Sequence, residues 1–154
     1  MPDIHDVETR SRNMRAIRGS DTKPELVVRK GLHAQGFRYV LGGRGLPGRP
    51  DLVLPRYRSV VFVHGCFWHG HGCSLFHWPA SRSDFWQAKI SANVARDERV
   101  VRALIELKWN VATVWECAIR GRRRIGARTV IEGLGEWLSD GAPTQVDFGE
   151  RVSS

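Results

Sequence analysis

Apolar positions recur along this chain with two alternating periods. Residues 1–20 are polar and basic, with Met14 and Ile17 as isolated apolar residues one helical turn apart, as on a surface helix that docks through those two. Asp21-Thr22-Lys23-Pro24-Glu25 has the make-up of a helix start: a capping Asp or Thr, an early proline and an acid behind it. That helix is expected to turn Leu26, Val27, Leu32 and His33 inward and to end at Gly36. Phe37-Arg38-Tyr39-Val40 alternates as a strand does. The glycine-rich stretch from Gly42 to Pro50 reads as a loop and lacks the Gly-Lys-Ser/Thr ending of a phosphate-binding P-loop. Asp51-Leu54 and Ser59-His64 follow as two strands joined by a hairpin over Pro55-Arg58.

After Ser83-Asp84, which reads as a helix cap, Trp86, Ile90, Val94, Val101 and Leu104 keep helical spacing on one face. Lys89, Arg96, Asp97, Arg99 and Arg102 fall elsewhere on that helix. Asn110-Cys117 is a further strand, and an arginine-rich turn (Arg120, Arg122, Arg123, Arg124, Arg128) leads into a last helix to about Leu138. The tail beyond it is expected to be peripheral. An α-β-ββ-α-β-α order predicts an α/β fold with a mixed central sheet and helices on both faces. No repeat or linker divides the chain, so residues 20–154 are expected to form one domain preceded by an arm over 1–19.

Composition narrows the partners. The 154 residues are 42% hydrophobic and 26% charged, as in an ordinary globular domain. No apolar run approaches the ~20 residues of a membrane helix, and Met1-Asp6 has no signal-peptide pattern. A cytoplasmic protein is the expectation. The net charge of +8 points to a polyanion, nucleic acid before membrane.

Three cysteines in a reducing compartment are inert thiols, a nucleophile or metal ligands. Cys66-x4-His71-x-Cys73 places three soft or borderline ligands in one short loop, and Cys117 can supply a fourth. Cys3His is a common closed structural zinc set. Spacing alone leaves His69 as an alternative to His71, and buried unliganded thiols as the bland reading. Glycines 65, 70 and 72 bracket these residues where a packed core would not. A second constellation is Asp51 at one strand start and Phe62-Val63-His64 at its neighbour's end. Alternate strand residues share a face, so a hairpin brings Asp51 toward His64, with donors suited to a Mg²⁺ that keeps several waters. An acid after a proline at a strand start is more often a turn residue than a metal ligand. Phe67, Trp68 and Trp86 form a third group, which either packs under the loop or, in a basic protein, wedges between bases.

Several stretches resemble the very short patch repair (Vsr) endonucleases. They are Asn13-Met14-Arg15-Ala16-Ile17-Arg18, Asp21-Thr22, Leu46-Val53, Val63-His69, Phe85-Trp86, Lys89-Ile90, Asn93, Arg96-Asp97 and Val114-Cys117. The motifs run in order from about residue 5 to residue 138. The resemblance implies a variant of the restriction-endonuclease-like PD-(D/E)xK fold that nicks DNA 5′ to the T of a T·G mismatch left by 5-methylcytosine deamination. It makes Asp51 the Mg²⁺ carboxylate, with the Val63 carbonyl facing the metal. Phe62 and His64 occupy the usual ExK positions, a replacement the family itself makes. His69 is implied as general base, with Glu25 hydrogen-bonded to it and His64 assisting. Cys66, His71, Cys73 and Cys117 are implied as the zinc ligands. Phe67, Trp68 and Trp86 are implied to insert from the major groove, and Met14 and Ile17 to wedge from the minor groove, with Lys89 and Asn93 on the mismatched pair. Position 63 is Val where many relatives have Thr, and Gly70 replaces an expected histidine, which predicts a slightly looser loop.

The resemblance further implies a monomer acting at the nucleoid, linked to a cytosine-5 DNA methyltransferase and to downstream repair proteins. Two rivals stand beside it. A zinc-stabilised DNA-binding module without catalysis explains the charge and the zinc ligands but gives no purpose to Glu25, Asp51, His64 and His69. A small-molecule hydrolase with catalytic zinc would need neither Mg²⁺ nor DNA.

Overall fold

The computed structural model describes residues 22–150. Met14, Ile17 and the expected N-terminal arm lie outside the described residues. Helix α1 (Lys23–Ala34) begins where its sequence asks: the Thr22 hydroxyl accepts from the Glu25 amide at 3.3 Å, and Pro24 stands in the first turn. Its inward face differs from the expectation. Pro24, Glu25, Val28 and Leu32 are buried, whereas Leu26 and His33 are exposed. The i, i+3/i+4 set that includes Val28 wins, because Glu25 is needed inside for a polar role described below.

Five strands form one sheet in the order β1 (Val40–Leu41), β2 (Leu52–Leu54), β3 (Ser59–His64), β4 (Asn110–Trp115), β5 (Gln145–Phe148). β1, β2 and β3 pair antiparallel, and β3, β4 and β5 parallel. The hairpin turn between β2 and β3 is a single 3-10 turn over Pro55–Tyr57. The expected strand over Phe37–Val40 shrinks to Val40–Leu41 because the Phe37 amide closes the end of α1 on the Leu32 carbonyl, while its ring enters the core.

Helix α2 (Ser83–Glu106) carries the chain from β3 to β4, and α3 (Glu116–Arg120) and α4 (Ala127–Asp140) carry it from β4 to β5. Ser83 is the first residue of α2, not its cap. Arg82 holds that place in the left-handed region (φ 56°) with its guanidinium over the Phe85 ring. The two sheet faces bury separate cores. Leu52, Leu54, Val61, Val63, Ala112 and Val114 meet Val28 and Leu32 of α1 and Val130, Leu134 and Leu138 of α4. Val53, Val60, Phe62 and Val111 meet Leu104 of α2 and Trp109. Strands buried on both faces explain why the sequence shows continuous apolar runs there.

Two expectations about the later chain are corrected. β4 stops at Trp115, and Cys117 sits in the first turn of α3. The tail is not peripheral: Gln145–Phe148 adds a fifth strand, with Val146 and Phe148 packed on the core. No helix of the described residues is long and apolar enough to cross a membrane.

Candidate active site

Four strand ends and helix turns converge beside the loop that follows β3. Asp51 directly precedes β2, and its Oδ2 accepts from the Val63 amide at 2.7 Å. The hairpin register thus fixes this carboxylate at the C-terminal end of β3. Burial, with the neighbouring Glu25, pushes the Asp51 carboxyl up to about 7, against the lowering effect of the Val63 hydrogen bond. Glu25 is buried and pairs with Arg29 at 3.2 Å. A bare negative charge is disfavoured at Asp51, and a cation beside the two carboxyls would be favoured. Hard oxygen donors of this kind suit Mg²⁺.

Across the cleft, the imidazoles of His64 and His69 stack with centroids 3.7 Å apart and planes within 2°. His69 Nδ1 lies 2.6 Å from Asp97 Oδ2. A carboxylate can only accept, so Nδ1 donates to Asp97 and Nε2 is the ring nitrogen left outside that bond. Burial, then the charge of His69, pushes His64 down to about 3, so it stays neutral at ordinary pH. Its Nδ1 is buried with no hydrogen-bond partner among the described residues. The carboxylate expected on His69 is therefore a different one. Among the described residues no hydrogen bond joins Glu25 to His69; Glu25 serves Asp51 and Arg29, and Asp97 serves His69. Asp97 was hidden among the charged residues of α2. The spacing Ile90, Val94, Asp97, Val101, Leu104 puts it on the inward stripe, and an acid on an apolar stripe is the signal that could have found it.

These groups line a cleft of ≈ 1030 Å³ together with Phe67, Trp68, Arg49, Arg96, Glu116 and Arg120. Arg49, Arg96 and Arg120 bring positive charge to the same lining as Asp51, Asp97 and Glu116, and Arg120 pairs with Glu116 at 3.0 Å. Phe67, Trp68 and Trp86 are half-buried and pack against one another at centroid distances of 5.1–5.8 Å. The aromatic group is wider than expected: Phe76 lies against Phe67, Trp78 against Phe76 and Phe85 against Trp86, with Trp78 and Phe85 exposed. Lys89 is exposed on α2, while Asn93 donates to the Trp68 carbonyl at 2.9 Å and so ties the aromatic loop to the helix.

The second cluster shares the same loop. Donor atoms of Cys66, His71, Cys73 and Cys117 all lie within 4.8 Å of one another. His71 Nδ1 and Cys117 Sγ are 3.5 Å apart, close to the separation of about 3.5 Å that tetrahedral bonds of 2.3 and 2.0–2.1 Å impose. The set fits a four-coordinate zinc and leaves His69 outside it, directed at Asp97. Burial pushes the Cys66 and Cys117 thiols up, which makes them poor nucleophiles without a metal. Amides donate to these sulfurs: Cys117 to Cys66 Sγ at 3.4 Å and Glu150 to Cys117 Sγ at 3.2 Å. Tight turns set the loop, His69 to Gly65 and His71 to Cys66. Gly70 is not a source of looseness. Its φ is +63°, and a Cβ there would lie within 3 Å of Val94 and Ile90, so glycine is required for the loop to press on α2.

Comparison with known proteins gives the same direction. The family model described as "DNA mismatch endonuclease Vsr" matches residues 2–75. The chain is 49% identical over 148 residues to the DNA mismatch endonuclease Vsr of Escherichia coli (strain K12), covering 96% of this chain and 95% of that protein. It is 47% identical to the type II nicking enzyme V.XorIIP of Xanthomonas oryzae pv. oryzae, over 83% of this chain and 94% of the relative. For V.NmeAIP of Neisseria meningitidis the figures are 44%, 79% and 87%. Similarity of that extent, carried by a chain whose cleft and four-ligand cluster stand side by side, places this protein in the Vsr DNA mismatch endonuclease family.

Proposed function

We propose that the protein is a Mg²⁺-dependent, zinc-stabilised DNA endonuclease of very short patch repair. It nicks one strand 5′ to the T of a T·G mismatch produced by 5-methylcytosine deamination. The observation that carries this reading is the opposition, across one basic cleft, of the Asp51 carboxylate and the His69–Asp97 pair. The mixed sheet, with its acid at the head of the β2–β3 hairpin, supports a variant of the PD-(D/E)xK fold in which Phe62 and His64 replace the usual acid and lysine.

Asp51, with Glu25 beside it and the Val63 carbonyl at the same strand end, would hold the Mg²⁺. Magnesium supplies charge stabilisation to the phosphate and acidifies bound water. His69 takes the proton of the attacking water at Nε2, because Asp97 fixes its tautomer and stabilises the imidazolium that forms. His64, neutral and stacked on His69, limits where that ring can turn. Its uncharged face leaves the proton on His69, since two cations 3.7 Å apart repel. Cys66, His71, Cys73 and Cys117 would hold a structural zinc that keeps the loop in register on both sides of His69. Phe67, Trp68 and Trp86 enter from the major groove and Met14 and Ile17 from the minor groove, where unstacking costs a few kcal/mol per step and is offset by wider contact. Lys89 reads the mismatched pair, and Asn93 does so while holding Trp68. Such an enzyme acts as a cytoplasmic monomer at the nucleoid, in step with a cytosine-5 methyltransferase and later repair proteins.

The test is a T·G duplex labelled on each strand, incubated with Mg²⁺ and the zinc-loaded chain. Cleavage of the T strand alone, absent with a C·G duplex and absent in Asp51→Asn, is expected. Tight binding without cleavage would return the non-catalytic module.

A further inference from the structure

The two residues that follow β5 touch the four-ligand cluster at Cys117 and its neighbours at Ser74 and Trp115. The Glu150 amide donates to Cys117 Sγ at 3.2 Å. Its Oε2 accepts from the Ser74 amide at 3.2 Å and the Ser74 hydroxyl at 2.7 Å, next to Cys73. Gly149 runs so close to Trp115 that a Cβ there would lie 2.9 Å from the indole, and that indole stacks on His71 at 4.2 Å and 9°. The segment hangs from a rigid support. β5 pairs with β4 over four registers, and Phe148 fits against Gly133 of α4.

We propose that Glu150 is a positioning residue that clamps the metal-binding loop to the edge of the sheet and so governs how firmly the cluster keeps its metal. This rests on reading Cys66, His71, Cys73 and Cys117 as a zinc site. The loop's own turns fix its backbone only locally: Cys73 donates to the His71 carbonyl and Phe76 to the Cys73 carbonyl. At the Cys66 end the loop amide reaches Glu116 Oε1 at 3.4 Å. At the Cys73 end, Glu150 does the corresponding work with two shorter bonds. The Glu150 side chain holds Ser74, the neighbour of Cys73, and losing a partner that supports a metal site typically costs about 10–100-fold in affinity. The clamp therefore also protects His69, which lies between Cys66 and His71.

The experiment uses the full chain. Elemental analysis first gives zinc per chain, and the rate of zinc transfer to a chromogenic chelator is then followed. Glu150→Ala should release zinc about 10–100-fold faster. Glu150→Gln, which keeps an acceptor oxygen for Ser74, should return to within about threefold of the parent rate. Ser74→Ala should release severalfold faster and carries the test if Glu150→Ala fails to fold. The double variant should be no faster than Glu150→Ala, because the hydroxyl bond that Ser74→Ala removes is already lost there. Gln145→Ala, on the exposed edge of the same strand, should keep the parent rate. Parent-rate release from both Glu150→Ala and Ser74→Ala, or Gln145→Ala as fast as Glu150→Ala, overturns the proposal. A parent chain that carries no zinc overturns the zinc reading itself, a distinct result.

Discussion

One loop, residues 64–73, contributes to two clusters of opposite character. His71, Cys66 and Cys73 face Cys117 in a closed thiol-rich set whose sulfurs are buried or half-buried. His64 and His69 face Asp51 and Asp97 in an open cleft with oxygen donors. The closed set has no free position, so a soft metal there can only hold shape. The open set has a deprotonated imidazole nitrogen and a carboxyl poorly suited to being bare, so a hard cation and a water have places to go. The difference shows how neighbouring residues divide structure from chemistry: the turns of one loop send Cys66, His71 and Cys73 to one cluster and His69 to the other.

The largest effect should come from the open cluster. Asp51→Asn should lower single-turnover nicking at least ~10³-fold, the scale of losing a transition-state charge stabiliser, while duplex binding in a gel-shift titration stays near the parent level. The same variant should be more stable than the parent. Folding raises the Asp51 carboxyl to about 7 from an ordinary 3.8. The folded state therefore keeps a proton that the unfolded chain releases, and the stability this gives is present below about pH 4 and lost as pH rises toward 7. Urea unfolding without Mg²⁺ should show Asp51→Asn gaining on the order of 1–3 kcal/mol over the parent between pH 5 and pH 8. Equal gains at both pH values would contradict the burial of that charge.

Next in size is Asp97→Asn. An amide can turn its NH2 toward His69 and impose the wrong tautomer, so nicking should fall about 10²–10⁴-fold with unchanged folding. Glu25→Gln tests the correction made above. It should weaken the Mg²⁺ dependence, read as a higher half-saturating concentration, and leave the pH profile of a Mg²⁺-saturated reaction in place. A shift of that profile instead would return Glu25 to His69.

The closed cluster should respond differently. Cys73→Ser should lose zinc and lower the melting temperature, and nicking should fail together with the fold around His69. Excess Mg²⁺ should not rescue it. The smallest change, Gly70→Ala, combines a positive φ with a contact under 3 Å to Val94 and Ile90 and should cost about 1–3 kcal/mol in urea unfolding. A neutral Gly70→Ala would mean that the loop does not press on α2.

Much of this was legible in the sequence. Continuous apolar runs gave β3 and β4, and Thr22 and Pro24 gave the start of α1, while the cysteine spacing pointed to the closed cluster but left His69 and His71 open until the family resemblance chose His71. Three features escaped for identifiable reasons. β5 alternates as Gln145-Val146-Asp147-Phe148, a true strand signal, but it is too short to stand apart from a tail before its partner β4 is in place. Asp97 looked like one more charge on a solvated helix, although its spacing from Val94 and Val101 sets it on the apolar stripe of α2. The exchange of Glu25 for Asp97 at His69 depends on tertiary placement of two helices that no spacing encodes.

The central claim is that the two clusters need different metals for different purposes. Its most direct test is a Mg²⁺ titration of single-turnover nicking on a T·G duplex, with zinc per chain measured at every point. Nicking should rise and saturate with Mg²⁺ while zinc content stays fixed at one per chain. Nicking that persists without Mg²⁺, or that follows added zinc beyond that single ion, would contradict it.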